Sequence, residues 1–213
     1  MNKRLLMKKH PAKQLKRGKK YVPSILAKEI KGLSSPCVIV DYKTGRQIHL
    51  LSQCEKKAWY FLRFDDEVEE IYEQFSLDLE ITLELAEEYG LKHPGNKSTA
   101  MTTDFFVVKK HGYAAYSVKS DCSILDNKRE VEKQILENMY WELFDIEFHV
   151  IFAAELDKHL IKNIMEVVKC YNKSRIFNEY DEIRYMIAHK IIKVDLYQDG
   201  IDYEKVKESV YGK

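Results

Sequence analysis

The chain has 213 residues, 45% of them hydrophobic, with 35 Lys and Arg against 34 Asp and Glu. Its length suits one domain with an extension or two small ones, and its composition can bury a core. No apolar run nears the roughly 18 residues of a membrane span, no signal-peptide pattern opens the chain, and Cys37, Cys54, Cys122 and Cys170 lack CxxC spacing; membrane and zinc-site classes are set aside and a reduced, cytoplasmic setting is expected.

The chain order begins with a basic arm. Residues 1–20 carry nine Lys or Arg and no acid, leaving 26 basic against 34 acidic residues in the remainder. Such an arm suits contact with nucleic-acid phosphates, with Lys16, Arg17, Lys19 and Lys20 as the DNA-binding candidates; a solvated, poorly ordered terminus is the alternative. A short helix is expected over Ser24–Lys31, ending at Gly32. A strand over Cys37–Asp41, a turn over Tyr42–Arg46 and a return strand over Gln47–Leu51 follow. Ser52–Phe64 reads as a helix with Ala58, Phe61 and Leu62 on its apolar side. Glu70–Leu77 reads as an edge strand, Asp78–Tyr89 as a helix, and Lys92–Asn96 as a loop.

The stretch from Met101 to Asp121 is two strand-like runs around His111-Gly112. A two-residue loop there sets Lys110 across from Tyr113 and Asp104 opposite Lys119, with Ser117 on the same face. Both faces are mostly apolar, so the hairpin belongs inside a sheet covered on two sides. An acid and an amine meeting there form either a structural ion pair or a metal-and-phosphate site. Next come an amphipathic helix over Asp126–Phe144, with Val131, Ile135, Met139 and Leu143 at helical spacing, and a strand over Glu147–Ala153. Past Ala154 the pattern predicts helices over Leu156–Tyr171, Asp181–His189 and Asp202–Val210, with a strand over Ile191–Tyr197. The expected organisation is a basic arm (1–20), an α/β domain with a mixed sheet flanked by helices (21–155), and a small C-terminal domain (156–213).

Glu55 falls in the first turn of its helix. Ser52-x-x-Glu55 is a capping-box pattern, in which the Glu turns back to the cap's backbone N–H. The alternative is a nuclease centre, because phosphodiester hydrolysis needs carboxylates that hold magnesium and a lysine near the water or the phosphate. Trp59-Tyr60-Phe61 and Tyr140-Trp141 read as core packing rather than base-stacking platforms. His93, before Pro94, reads as a turn residue or a DNA contact, and Ser117 is a further DNA-binding candidate. His10, His111, His149 and His189 lack metal-ligand spacing.

Ordered blocks along residues 18 to 170 resemble the TnsA endonuclease family, the partner nuclease of heteromeric cut-and-paste transposases. They are GKKYVP from Gly18, KTGR from Lys43, HLLSQCE from His49, EQFSL from Glu73, GLKHP from Gly90, MTTDFFV from Met101, Ser117-Val118-Lys119, and Glu132 with Tyr140-Trp141. The resemblance implies a restriction-endonuclease-like PD-(D/E)xK core. It further implies Glu55, Asp104 and the Val118 carbonyl as magnesium ligands, with Lys119 as the catalytic lysine. Manganese is an expected substitute for magnesium. Ser117 stands where the family has Gln and wider nucleases an acid, and the C-terminal part is shorter than the winged-helix-like domain of larger members.

The expected function is a magnesium-dependent DNA endonuclease that cuts the 5′ ends, the non-transferred strands, of a transposon. Its expected partners are double-stranded transposon-end DNA, a DDE-type transposase subunit that cuts and joins the 3′ ends, and an AAA+ transposition regulator, with no membrane involved. The rivals are an independent restriction- or repair-type endonuclease and a non-catalytic DNA-binding adaptor.

Overall fold

The computed structural model describes residues 3–31, 34–94 and 98–212. The order of elements is α1 (Lys3–Lys9), α2 (Pro11–Gln14), β1 (Cys37–Val40), β2 (Gln47–Leu50), α3 (Gln53–Phe64), β3 (Val68–Ser76), α4 (Leu79–Glu88), β4 (Thr102–Lys109), β5 (Tyr113–Lys119), α5 (Lys128–Glu142), β6 (Glu147–Phe152), α6 (Lys158–Val167), α7 (Glu179–Ala188) and α8 (Tyr203–Tyr211).

Period-2 alternation in the central strands gives each face of the sheet its own apolar row. The strands lie in the order β3-β4-β5-β6, with β3/β4 and β4/β5 antiparallel and β6 parallel to β5. A parallel neighbour needs a crossover, and α5 supplies it. β1 and β2 form a separate antiparallel pair. On one face Tyr72, Phe75, Phe106, Val108 and Ala115 pack with Ile81 and Leu85 of α4 and Leu136, Tyr140 and Trp141 of α5. On the other, Ile71, Phe105, Val107 and Val118 pack with Ile48 and Leu50 of β2 and Ala58, Trp59 and Leu62 of α3. Phe105 and Phe106 are fully buried on opposite faces, and each such side chain stabilises the fold by about 1.5–3 kcal/mol. A third cluster joins α6, α7 and Leu196, with Tyr42, Tyr60 and Phe64 packed against it. Among the described residues no helix is long and apolar enough to cross a membrane.

The α/β class, the mixed sheet and the edge position of β3 agree with the sequence reading, and the arrangement is consistent with a restriction-endonuclease-like fold. Five local expectations need correction. The Ser24–Lys31 segment makes only a 3-10 turn at Ala27–Glu29; Gly32 lies outside the described residues, as does the Gly95-Asn96 part of the expected loop. The hairpin register is shifted: Val108 pairs with Tyr113, and Lys109 N–H donates to the Gly112 carbonyl, with Gly112 at φ +91°. Lys110 and His111 are therefore the loop tip, and Asp104 does not face Lys119. On α5 the buried stripe is Leu136, Tyr140 and Trp141, whereas Ile135 is exposed, one residue off the expected face. On α3 Phe61 is exposed and Trp59 takes its place in the core. Residues 191–197 form no strand, so the C-terminal part is helical with no wing strand; Leu196 still plugs the third cluster.

The arm is not a free tail. Leu6, Ala12 and Leu15 pack on the core cluster over α4 and α5, Gly18 N–H donates to Tyr72 Oη at 3.1 Å, and the Lys9 ammonium meets Asp78 at 3.1 Å and also contacts Glu80.

Candidate active site

Helix α3 positions the first carboxylate. Ser52 is its N-cap, accepting the Glu55 N–H at 3.1 Å, so Glu55 sits in the first turn. The capping-box expectation sends the carboxylate back to the Ser52 N–H, but its Oε2 instead accepts from Leu51 N–H (2.9 Å) and from Gln74 Nε2 (3.2 Å). Its Oε1 accepts from Ser52 Oγ at 3.2 Å. Glu55 is 7% exposed. Burial first, then the charge of Asp104, pushes its carboxyl up to about 7. The carboxylate thus closes the helix start and faces a second acid at once.

That second acid sits where the β4–β5 ladder opens. Backbone pairing runs from Val108↔Tyr113 to Phe105↔Tyr116. Beyond it, Asp104 Oδ2 takes the Val118 N–H at 2.6 Å and lies 3.4 Å from Ser117 Oγ. A side chain replaces a backbone carbonyl as Val118's partner, which holds Asp104 in line with the sheet. Lys119 follows directly; its Nζ lies 3.4 Å from Glu130 Oε2 of α5, and its side chain is 12% exposed.

Two further residues, absent from the sequence-based candidates, complete the surroundings. Glu137 of α5 is 1% exposed and accepts a hydrogen bond from Thr103 Oγ1. Burial first, then Asp104, raises its carboxyl to about 8, with Lys119 acting in the opposite direction. Its signal was legible, since Glu137 precedes Tyr140 by three and Trp141 by four and so shares their buried stripe. Gln74 lies mid-strand in β3, 2% exposed, with a left-handed φ of +47°. A non-glycine residue held there costs about 1–3 kcal/mol. Nothing in the sequence pattern marks that conformation.

The structure therefore brings together Glu55, Asp104, Ser117 and Val118, with Lys119 beside them. The other candidates lie apart from these contacts. Lys16, Arg17, Lys19 and Lys20 are exposed, and Arg17 lies 3.8 Å from Glu70. His93 meets Thr82 Oγ1 at 3.0 Å, and its carbonyl accepts from Arg129 at 2.8 Å, as a turn residue does. Trp59, Tyr140 and Trp141 are core residues, as expected. A cavity of about 630 Å³ between residues 192 and 210 shares no lining residue with the acidic pair.

Among the described residues no three His, Cys, Asp or Glu gather into a metal cage. Glu55 and Asp104 nevertheless fit a hard cation. Each engages one oxygen fully with N–H or O–H donors. Among the described residues this leaves Glu55 Oε1 with a single donor and Asp104 Oδ1 with none. A carboxylate whose proton affinity is raised by a neighbouring acid accepts a cation beside it, and all-oxygen sites with few protein ligands suit ions that keep water and bind phosphate.

Residues 65–152 match the family model described as TnsA-like endonuclease N terminal. The chain is also 31% identical over 151 residues to the Transposon Tn7 transposition protein TnsA of Escherichia coli, covering 69% of this chain. The chain belongs to the TnsA-like endonuclease family. The TnsA-like match spans Asp104, Val118 and Lys119 but not Glu55, whose place in the site rests on geometry. The chain spans 55% of the length of its TnsA relative.

Proposed function

We propose that this protein is the DNA endonuclease subunit of a heteromeric transposase, cutting the 5′ ends of a transposon by magnesium-dependent hydrolysis. The observation that carries the reading is the juxtaposition of Glu55 from α3 with Asp104 at the open end of the β4–β5 ladder, where the Asp104 charge adds to burial in raising the Glu55 carboxyl. Glu55, Asp104 and the Val118 carbonyl would hold the ion, with manganese able to substitute. Bound there, a divalent cation would neutralise charge on the scissile phosphate and favour hydroxide over water.

The chain's own residues do the remaining work. The Val118 N–H and Ser117 hydroxyl fix Asp104 Oδ2, so its other oxygen keeps one direction. Ser117, being neutral, supports Asp104 rather than adding a ligand. Lys119, released from Glu130, carries a cation to the water or a phosphate oxygen, where its charge acts most strongly as the phosphorus becomes pentavalent. The exposed Lys16, Arg17, Lys19 and Lys20 would track the duplex, and His93 would add at most a backbone contact. Residues 21–155 would form the catalytic domain and 156–213 a small domain for partner contacts. A DDE-type transposase and an AAA+ regulator are the partners this role requires, in the cytoplasm of a bacterium.

Duplex DNA carrying transposon ends, incubated with the protein and its transposase partner, tests the reading. Magnesium should support 5′-strand cuts and a chelator should stop them. Cutting of plain duplex by the protein alone would favour an independent restriction- or repair-type enzyme, and metal-free binding with no cutting under any condition would favour an adaptor.

A further inference from the structure

We infer that Gln74 is a positioning residue for the Glu55 carboxylate, held in place by a kink built into β3. The inference rests on the proposed nuclease site and says what aims one of its two acids. In a regular strand, consecutive side chains project to opposite faces. Glu73 and Gln74 break that rule: both reach the segment of residues 46–55. Glu73 accepts hydrogen bonds from both Arg46 η nitrogens and from the His49 N–H, and Gln74 donates from Nε2 to Glu55 Oε2. The left-handed φ of Gln74 makes this possible, and among the described residues it is the one non-glycine residue inside a strand with φ above zero.

The kink also resets which side faces which helix. Ile71 packs on the α3 side and Tyr72 on the α5 side, yet Phe75, three residues after Tyr72, packs with it. The facing strand changes phase at the same level. Phe105 packs on the α3 side, whereas Thr103, two residues away, bonds Glu137 of α5. Glu73↔Phe105 and Phe75↔Thr103 flank the level at which Gln74 and Asp104 lie across from each other. One distortion therefore presents the amide of Gln74 to Glu55 at the level where Asp104 leaves the ladder. Gln74 Oε1 lies 3.4 Å from Thr102 Oγ1, which orients the amide with its NH2 towards the carboxylate. With Leu51 N–H and Gln74 both on Oε2, Glu55 presents Oε1 as its less engaged oxygen.

The test separates the amide from the kink. Gln74→Gly accepts the left-handed φ without strain but lacks the amide; Gln74→Met keeps the length and loses the donor. In metal-free protein, hydrogen exchange at the Leu51 amide reports how firmly Glu55 is held. Both variants should show faster Leu51 exchange, with exchange at core amides such as Phe106 unchanged. Manganese(II) affinity should fall by about 10–100-fold, the usual cost of losing an outer hydrogen-bond partner of a metal ligand. Leu51 protection and manganese affinity equal to the wild type in either folded variant would overturn the inference and leave Gln74 a space-filling residue. If Gln74→Gly does not fold, Gln74→Met decides alone. A wild-type protein that takes up no manganese would defeat the nuclease reading, while Leu51 exchange would still judge Gln74.

Discussion

Glu55 and Glu137 flank Asp104, and both are buried with raised carboxyl values, so most of the site's charge is withheld until something compensates it. The sign of the pH dependence follows. Each group binds its proton more tightly folded than unfolded, so its contribution is complete below the unfolded value of 4.5 and is lost as pH rises, through about 7 for Glu55 and about 8 for Glu137. Glu137→Gln keeps an acceptor for Thr103 Oγ1 and removes the titration. Urea unfolding of the metal-free variant and wild type should give similar stabilities at pH 5, with the variant on the order of 2–4 kcal/mol more stable by pH 8.5. Parallel pH curves would show that Glu137 does not titrate in this window. Glu55→Gln makes the complementary test. It preserves the acceptor for Leu51 N–H, so the melting temperature should hold at pH 5 and rise, if anything, above pH 7, while strand cutting should fall at least about 100-fold through loss of a charged ligand. An active Glu55→Gln protein would return Glu55 to a helix-closing role alone.

At the scale of elements, the route to Glu55 runs through a buried ion pair. Arg46, at the end of the β1–β2 turn, meets both oxygens of Glu73 at 3.0 and 2.6 Å and the Ile71 carbonyl at 2.6 Å, beside the Tyr21 and Tyr72 rings. Because Glu73 also accepts the His49 N–H, this pair fixes β2 on β3, and β2 leads directly into α3. Arg46→Met should destabilise by about 3–5 kcal/mol, since it strands a buried charge, and the Arg46→Met, Glu73→Met double variant should recover part of that loss. Additive losses in thermal or urea unfolding would contradict the coupling. The arm needs a test that respects its packing. Deleting residues 1–17 would uncover the core beneath Leu6, Ala12 and Leu15, so charge reversal is cleaner. Lys16→Glu, Lys19→Glu and Lys20→Glu together should leave the melting temperature unchanged and flatten the salt dependence of duplex binding by up to about 0.9 for each phosphate no longer neutralised. An unchanged slope would remove the arm from the DNA interface.

Across the whole molecule, the parts legible in the sequence were those with a local signature. Alternation in residues 102–119 announced a sheet buried on both faces, and Ser52, Asp78, Asn127 and Asp157 cap the helices that the apolar periodicity outlined. Glu55, Asp104 and Lys119 were legible as residues of interest through the ordered blocks around them, but their mutual placement was not. A one-residue difference in each arm of the hairpin moves Lys119 from facing Asp104 to meeting Glu130, and turn residues alone do not fix that register. The α5 stripe is ambiguous in sequence for a related reason: Val131, Ile135 and Met139 satisfy helical spacing as well as Leu136 and Tyr140 do, and only tertiary packing chooses between adjacent faces. The 191–197 run is β-like in composition yet has no neighbouring strand to pair with, so it packs as a loop through Leu196.

In the proposed function, the open end of the β4–β5 ladder is a strand-cutting site organised on Asp104. Strand-resolved mapping of transposon ends, in the reaction reconstituted with the transposase partner, measures it most directly when wild type, Asp104→Ala and Lys119→Ala are compared at matched thermal stability. Both variants should lose 5′-strand cuts while 3′-strand cutting and joining by the partner persist. Normal 5′ cuts from folded Asp104→Ala would contradict it.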